Sequence, residues 1–284
     1  NMGGGMAANL VNAGHVVHAF DLAAGALAAA KANGCVVFET VRDAVAGVDA
    51  LVSMLPNGAI VETVYEADVI GHAPTSVLLL ECSTIDVATA RKVASKASAV
   101  GYTMVDAPVS GGIAAANAGT LTFMVGGSDD GFARSGPILS IMGKAVIHAG
   151  DSGAGQAAKI CNNMLLGATM IATCEAFALA EKLGLDLQTF YDISSKASGQ
   201  NWSMTSYCPV PGVGPQSPAD NGYVGGFATA LMLKDLRLAM AAANDANADV
   251  PMGAHAAALY EEFAEADAGH LDFSAIIKGF RGAA

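Results

Sequence analysis

The chain has 284 residues, 53% hydrophobic and 14% charged, which excludes a disordered protein and leaves room for two domains. A net charge of −12 with no Lys/Arg cluster excludes a nucleic-acid groove, so an anionic ligand must be met by backbone N–H groups and a few placed cations. Five cysteines without Cys-x-x-Cys spacing point to a reduced intracellular protein, and six scattered histidines form no metal-ligand pattern.

The chain opens on Asn1-Met2-Gly3, then a helical run through Met6, Leu10 and Val11, then Gly14 and an apolar strand Val16–Phe20 that ends on Asp21. This order is the back half of a dinucleotide-binding βαβ unit. Gly3 stands as the third glycine of Gly-x-Gly-x-x-Gly, and Asp21, 18 positions on, falls where the acidic ribose ligand is expected. The first strand and the first two glycines are missing from the chain shown. Further strands are predicted at Val36–Phe38, Ala50–Ser53, Val77–Leu80, Thr103–Val105, Thr122–Val125 and Lys144–His148. Helices are predicted between them at Ala23–Ala32, Thr40–Ala46, Gly58–Tyr65, Val87–Ala99 and Asp130–Met142. The alternation predicts an α/β fold, a Rossmann-type doubly wound parallel sheet over residues 1–150.

Beyond the turn Gly150–Gly155 the strand signals nearly vanish. Helices are predicted at Gln156–Leu183, Asp186–Lys196, Ala228–Asn247, Gly253–Ala266 and Phe273–Phe280, so residues 151–284 form an all-α domain joined to the first by the long helix. That helix carries Lys159, Asn162, Asn163 and Glu175, too many polar groups for a bilayer span. Burial between domains or subunits fits better, and a homodimer or homotetramer is expected. Residues 198–226 hold four prolines in a long loop of the kind that serves function.

Each candidate residue has an ordinary reading as well. Asp21 either accepts from ribose hydroxyls, which favours NAD over NADP, or caps the next helix. Leu55-Pro56-Asn57 and Ser83-Thr84 follow strands, where ligands of doubly wound sheets lie, but such residues also start helices. Ser110-Gly111-Gly112 can aim consecutive N–H groups and a hydroxyl at a carboxylate, or be a plain turn. Lys159 and Asn163 share one face of the long helix. Lys159 lies near the helix N-terminus, where the macrodipole and partial burial would lower its pKa into acid–base range; the ordinary reading is a stem that packs and an amine that snorkels outward. Lys234-Asp235 reads as a solvated pair, and Trp202 and Phe227 as core.

In combination the motifs resemble the β-hydroxyacid dehydrogenase family over essentially the whole chain. The similarity rests on Asn1-Met2-Gly3, Met54-Leu55-Pro56, Ser83-Thr84-Ile85-Asp86, Asp106-Ala107-Pro108-Val109-Ser110-Gly111-Gly112, and Leu121-Thr122-Phe123-Met124-Val125-Gly126-Gly127. It rests further on Gly155-Gln156-Ala157-Ala158-Lys159-Ile160-Cys161-Asn162-Asn163-Met164 and Pro209-Val210-Pro211-Gly212. The resemblance implies an enzyme that oxidises a small β-hydroxy acid with NAD. It implies Lys159 as acid/base and Asn163 as substrate-orienting, with Ser110, Gly111 and Gly112 on the carboxylate and Trp202 and Phe227 near the substrate. Asn1, Met2, Asp21, Leu55, Pro56, Thr84, Lys234 and Asp235 would meet the cofactor. No metal, nucleic acid or membrane is expected. The expected compartment is a bacterial cytoplasm, with the mitochondrial matrix as alternative. The rival readings are oxidation of another β-hydroxy acid, reduction of tartronate or succinate semialdehyde, and a non-catalytic NAD-binding protein lacking its first strand.

Overall fold

The structure, a computed structural model, describes residues 2–281, so Asn1 lies outside the described residues. The chain divides into two compact units, Asn1–Lys159 and Ile160–Ala284. The first unit runs α1 (Met2–Asn12), β1 (His18–Ala19), α2 (Ala24–Ala32), β2 (Val36–Val37), α3 (Val41–Ala44), β3 (Ala50–Ser53), α4 (Gly58–Val64), β4 (Leu78–Glu81), α5 (Val87–Ala99), β5 (Thr103–Asp106), β6 (Val109–Ser110), α6 (Gly112–Ala118), β7 (Leu121–Gly126), α7 (Asp129–Met142) and β8 (Gly143–Gly150). A π-turn, Tyr65–Val69, continues α4. Helix α8 (Ala154–Lys182) is continuous across the division. The second unit continues with α9 (Leu187–Ser194), α10 (Trp202–Thr205), a 3₁₀ turn at Pro218–Asn221, α11 (Thr229–Asp245), α12 (Pro251–Phe263), a 3₁₀ turn at Phe273–Ile276 and α13 (Ile277–Arg281).

The fold is the expected α/β unit followed by a largely helical one. Strand β4 is buried at every position, because successive side chains enter different cores. Leu79 and Met104 pack with Val61, Tyr65, Val93 and Ala97 on one face. Leu78, Leu80 and Val105 pack with Met6, Ala116, Leu139 and Met142 on the other. A strand covered on both faces has no polar side to show, which is why the sequence signal is an unbroken apolar run. Asp86 caps α5 and Asn57 caps α4, each side chain accepting from the N–H three residues on.

The sheet is in two pieces. β1 and β2 pair in parallel with each other, while β3–β4–β5 form a separate parallel ladder. The break is where a doubly wound sheet carries its first strand. One expectation fails: the sheet is not wholly parallel, since β7 runs antiparallel to β5 and β6. A parallel return from β5 needs a crossover helix about as long as the sheet. The connection instead spends its residues on β6 and the seven-residue α6, which spans only about 10 Å. β6 and α6 carried no sequence signal; α10 lay hidden in the Pro/Gly-rich loop.

The second unit has one core. Met170, Cys174 and Phe177 of α8 meet Met232 and Leu236 of α11, Tyr260 of α12, and Phe273, Ala275, Ile276 and Ile277. Helix α8 is long and apolar enough to cross a membrane by length and composition, yet half of its most apolar window is buried inside the protein.

Candidate active site

In the first unit, the carboxyl ends of the parallel strands gather the predicted cofactor residues. Asp21 follows β1 and is exposed. Its Oδ1 accepts from Ala23 N at 2.8 Å, and Ala23, not Asp21, stands at the N-cap of α2 with no side-chain cap, so Asp21 forms a local turn rather than the helix cap. Leu55 and Pro56 follow β3, and Thr84 follows β4. These two turns are tied together: Ser83 Oγ accepts from Leu55 N at 2.7 Å. Met2 opens α1, whose first turn has no acidic residue, leaving its N–H groups suited to an anion. Strand-end turns, an acidic acceptor and an unopposed helix N-terminus together fit a dinucleotide.

The Ser110-Gly111-Gly112 turn joins β6 to α6. Gly111 and Gly112 both hold left-handed backbone, at φ 130° and 71°. A Cβ on Gly111 would stand 2.5 Å from that of Ala115, so this turn admits glycine only. Ser110 and Gly112 are half-buried and Gly111 is exposed.

Three buried polar residues that drew no individual role from the sequence lie beside these turns. Glu81 and Asp106 are register partners at the ends of β4 and β5, only 1% and 3% exposed. Asp106 accepts from Gly153 N (2.6 Å) and Gln156 N (2.9 Å), capping the start of α8 from a distant strand. Gly155 is obligatory there, since a Cβ would overlap the carbonyl oxygen of Met124. Fully buried Gln156 accepts from Ile85 N and donates to Ser83 O and Glu81 Oε2. Burial pushes the Glu81 carboxyl up to about 8, against hydrogen bonds from Ser83 that lower it. Burial also raises Asp106, and its backbone donors offset part of that. Lys159, one turn after Gln156, is 7% exposed, which overturns the snorkelling alternative.

In the second unit, Asn163 is 2% exposed and its Nδ2 donates to Asp235 Oδ2 at 2.5 Å. A carboxylate only accepts, so the orientation of this amide is fixed; its Oδ1 accepts from Asn162 Nδ2. Asp235 is buried, with the half-buried Lys234 ammonium 3.4 Å from its Oδ1. The expectation of a solvated Lys234–Asp235 pair is therefore wrong: Asp235 faces α8, not water. Trp202 is not core; it is half exposed and stacks on Tyr207. Phe227 packs edge-on against Phe273. Asp272, fully buried, holds this corner by accepting from Tyr207 Oη and Phe227 N. Among the described residues no group of three side chains could hold a metal ion.

The fold and these turns define an NAD-binding dehydrogenase. The profile described as the NAD binding domain of 6-phosphogluconate dehydrogenase matches residues 1–150. The profile described as NAD-binding of NADP-dependent 3-hydroxyisobutyrate dehydrogenase matches residues 153–280. A 3-hydroxyisobutyrate dehydrogenase of Pseudomonas aeruginosa is 50% identical over 99% of this chain and 96% of its own length. An NAD-dependent L-serine dehydrogenase of the same organism is 44% identical over 99% and 95%. The solved structure of Mycobacterium tuberculosis 3-hydroxyisobutyrate dehydrogenase with L-serine superposes with a TM-score of 0.94 at 49% identity, over 99% of this chain and 96% of that one. The chain belongs to the 3-hydroxyisobutyrate dehydrogenase family.

Proposed function

We propose that this protein oxidises (S)-3-hydroxyisobutyrate to methylmalonate semialdehyde, as in valine catabolism, with Lys159 as general base. The observation that carries the reading is the burial of Lys159 and Asn163, four residues apart on one face of a largely apolar helix. Keeping a lysine and an amide from water costs folding energy, and a buried amine is a group suited to acid–base work on a bound alcohol.

Bound NAD+ supplies the hydride acceptor. The Ser110-Gly111-Gly112 turn holds the substrate carboxylate with its N–H groups and the serine hydroxyl, and so fixes the alcohol carbon in place. Neutral Lys159 takes the hydroxyl proton at Nζ; in reverse its ammonium returns a proton to the carbonyl oxygen. Asn163, its amide turned by Asp235, hydrogen-bonds the reacting oxygen. Asp21 selects NAD by repelling a 2′-phosphate. Leu55, Pro56 and Thr84 line the cofactor. The working form is a homo-oligomer in the bacterial cytoplasm. Exposed Leu165 and Leu179 on α8, with Leu183 just after its end, form its contact stripe.

Lys159→Ala should lower kcat by two or more powers of ten with the fold intact. Wild-type turnover in that variant would remove Lys159 from the chemistry. A panel of 3-hydroxyisobutyrate, L-serine, tartronate semialdehyde and succinate semialdehyde, ranked by kcat/KM, tests the substrate. L-serine belongs in it because a relative at 44% identity is named for it.

A further inference from the structure

Gln156 has no counterpart in the mechanism above, yet it is wholly buried and engaged at every polar atom the geometry offers. Its Oε1 accepts from Ile85 N at 3.1 Å, and its Nε2 donates to Ser83 O at 2.7 Å and faces Glu81 Oε2 at 3.4 Å. Its own N–H donates to Asp106. One side chain thus joins the first turn of α8 to the Ser83–Ile85 turn, more than 70 residues away in sequence. That turn in its turn is bonded through Ser83 Oγ to Leu55 N. Lys159 lies three residues after Gln156, on the next turn of the same helix, and all of these residues belong to the first unit.

We propose that Gln156 is a positioning residue for Lys159, locking the helix turn that carries the amine to the strand-end turns that carry Thr84 and Leu55. This rests on the acid/base reading of Lys159. An apolar residue could fill the same space, but it would leave Ile85 N–H and Ser83 O without these partners and could not fix the rotation of the helix against the loop. Proton and hydride transfer require reacting atoms within a few tenths of an ångström of their aligned positions, and a 1 Å error costs on the order of 100-fold. The carboxamide supplies a donor and an acceptor pointed at two backbone groups of one turn. That permits a single register of helix against loop.

The test is a double-mutant cycle on kcat with the full chain, using Gln156→Leu and Lys159→Ala singly and together. Gln156→Leu should lower kcat roughly 10- to 100-fold alone and less than about threefold in the Lys159→Ala background. An equal loss in both backgrounds, or no loss alone, would overturn the positioning role. If instead Lys159→Ala turns over as wild type, it is the reading of the base that fails. Should Gln156→Leu not fold, Gln156→Glu carries the test. The carboxyl introduced by that substitution would face that of Glu81, with Asp106 on the backbone N–H of the same residue and Tyr65 and Cys82 beside Glu81. Protonated, it can still donate to Ser83 O; ionised, it cannot. The kcat of this variant relative to wild type should fall at least about tenfold between roughly pH 6 and pH 9. A ratio flat across that range would overturn the proposal.

Discussion

Replacing Glu81 by Gln should flatten the dependence of stability on pH. In the folded chain Glu81 keeps its proton up to about 8, because burial opposes the charge; unfolded, it ionises near the ordinary carboxyl value of 4.5. Between those values the folded state holds the extra proton, so stability falls as pH rises through the window and levels off above about 8. At about 1.36 kcal/mol for each tenfold change in proton affinity, the full difference is on the order of 5 kcal/mol. Relaxation of the site makes this an upper bound, and about 2 to 5 kcal/mol is the expected range. Glutamine has the shape of the neutral acid, accepts from Ser83 N as Glu81 does, and does not titrate. Urea unfolding at pH 5, 6, 7 and 8 measures the effect: wild type should lose several kcal/mol across the series and Glu81→Gln markedly less. Asp106 and Asp272, also raised by burial, leave a residual slope of the same sign in both proteins. Parallel curves for the two would refute the reasoning, since Glu81 would then ionise alike in folded and unfolded chains.

Three further outcomes are expected. Asn163→Asp places a second buried carboxylate against Asp235 and should cost about 3 to 5 kcal/mol, while Asn163→Asp with Asp235→Asn restores one amide facing one acid and should recover more than half; chemical denaturation of the four proteins reads the coupling, and a swap no better than the single variant removes that bond from the account. Asp21→Ser should raise the kcat/KM ratio of NADP over NAD by on the order of tenfold, about 1.4 kcal/mol of relieved repulsion; an unchanged ratio takes Asp21 off the ribose. Leu165→Glu with Leu179→Glu should shift the mass seen by light scattering from an oligomer to a single chain, and a wild type already monomeric would dispose of the α8 stripe as a contact.

How much of this was legible in the sequence depended on how local the cause was. The strands β3, β4 and β5 announced themselves as short apolar runs, β4 most clearly because a strand buried on both faces has no polar side to show. Helix α5 came out residue for residue, since Asp86 marks its start. The pair Lys159 and Asn163 stood out as polar residues on an apolar helix, and both proved buried. Strand β6 is two residues long and exists only through its pairing with β7, a contact no window on the sequence contains. The ordinary reading of Lys234–Asp235 as a solvated pair failed for a related reason. Adjacent opposite charges read as solvated, and only the approach of Asn163, 72 positions away, makes the aspartate buried.

Glu81 is the sharpest case, and it bears on why the site is built as it is. In sequence it is the last residue of an apolar strand, where a charge would normally mean the strand has reached water. Here it faces Asp106 across a parallel ladder, under a helix. Two carboxylates in such a place repel, and burial weakens each as an acid. The neighbours divide the roles. Asp106 receives N–H groups from the start of α8, whose dipole favours its anion. Glu81 faces an amide and keeps its proton. The cost falls on stability, and the return is a helix start held by several fixed bonds one turn before Lys159. An apolar pair at positions 81 and 106 would make a more stable sheet and leave that turn free to shift. Retention of the polar pair is therefore expected where the exact place of the next helical turn matters more than a few kcal/mol of folding energy.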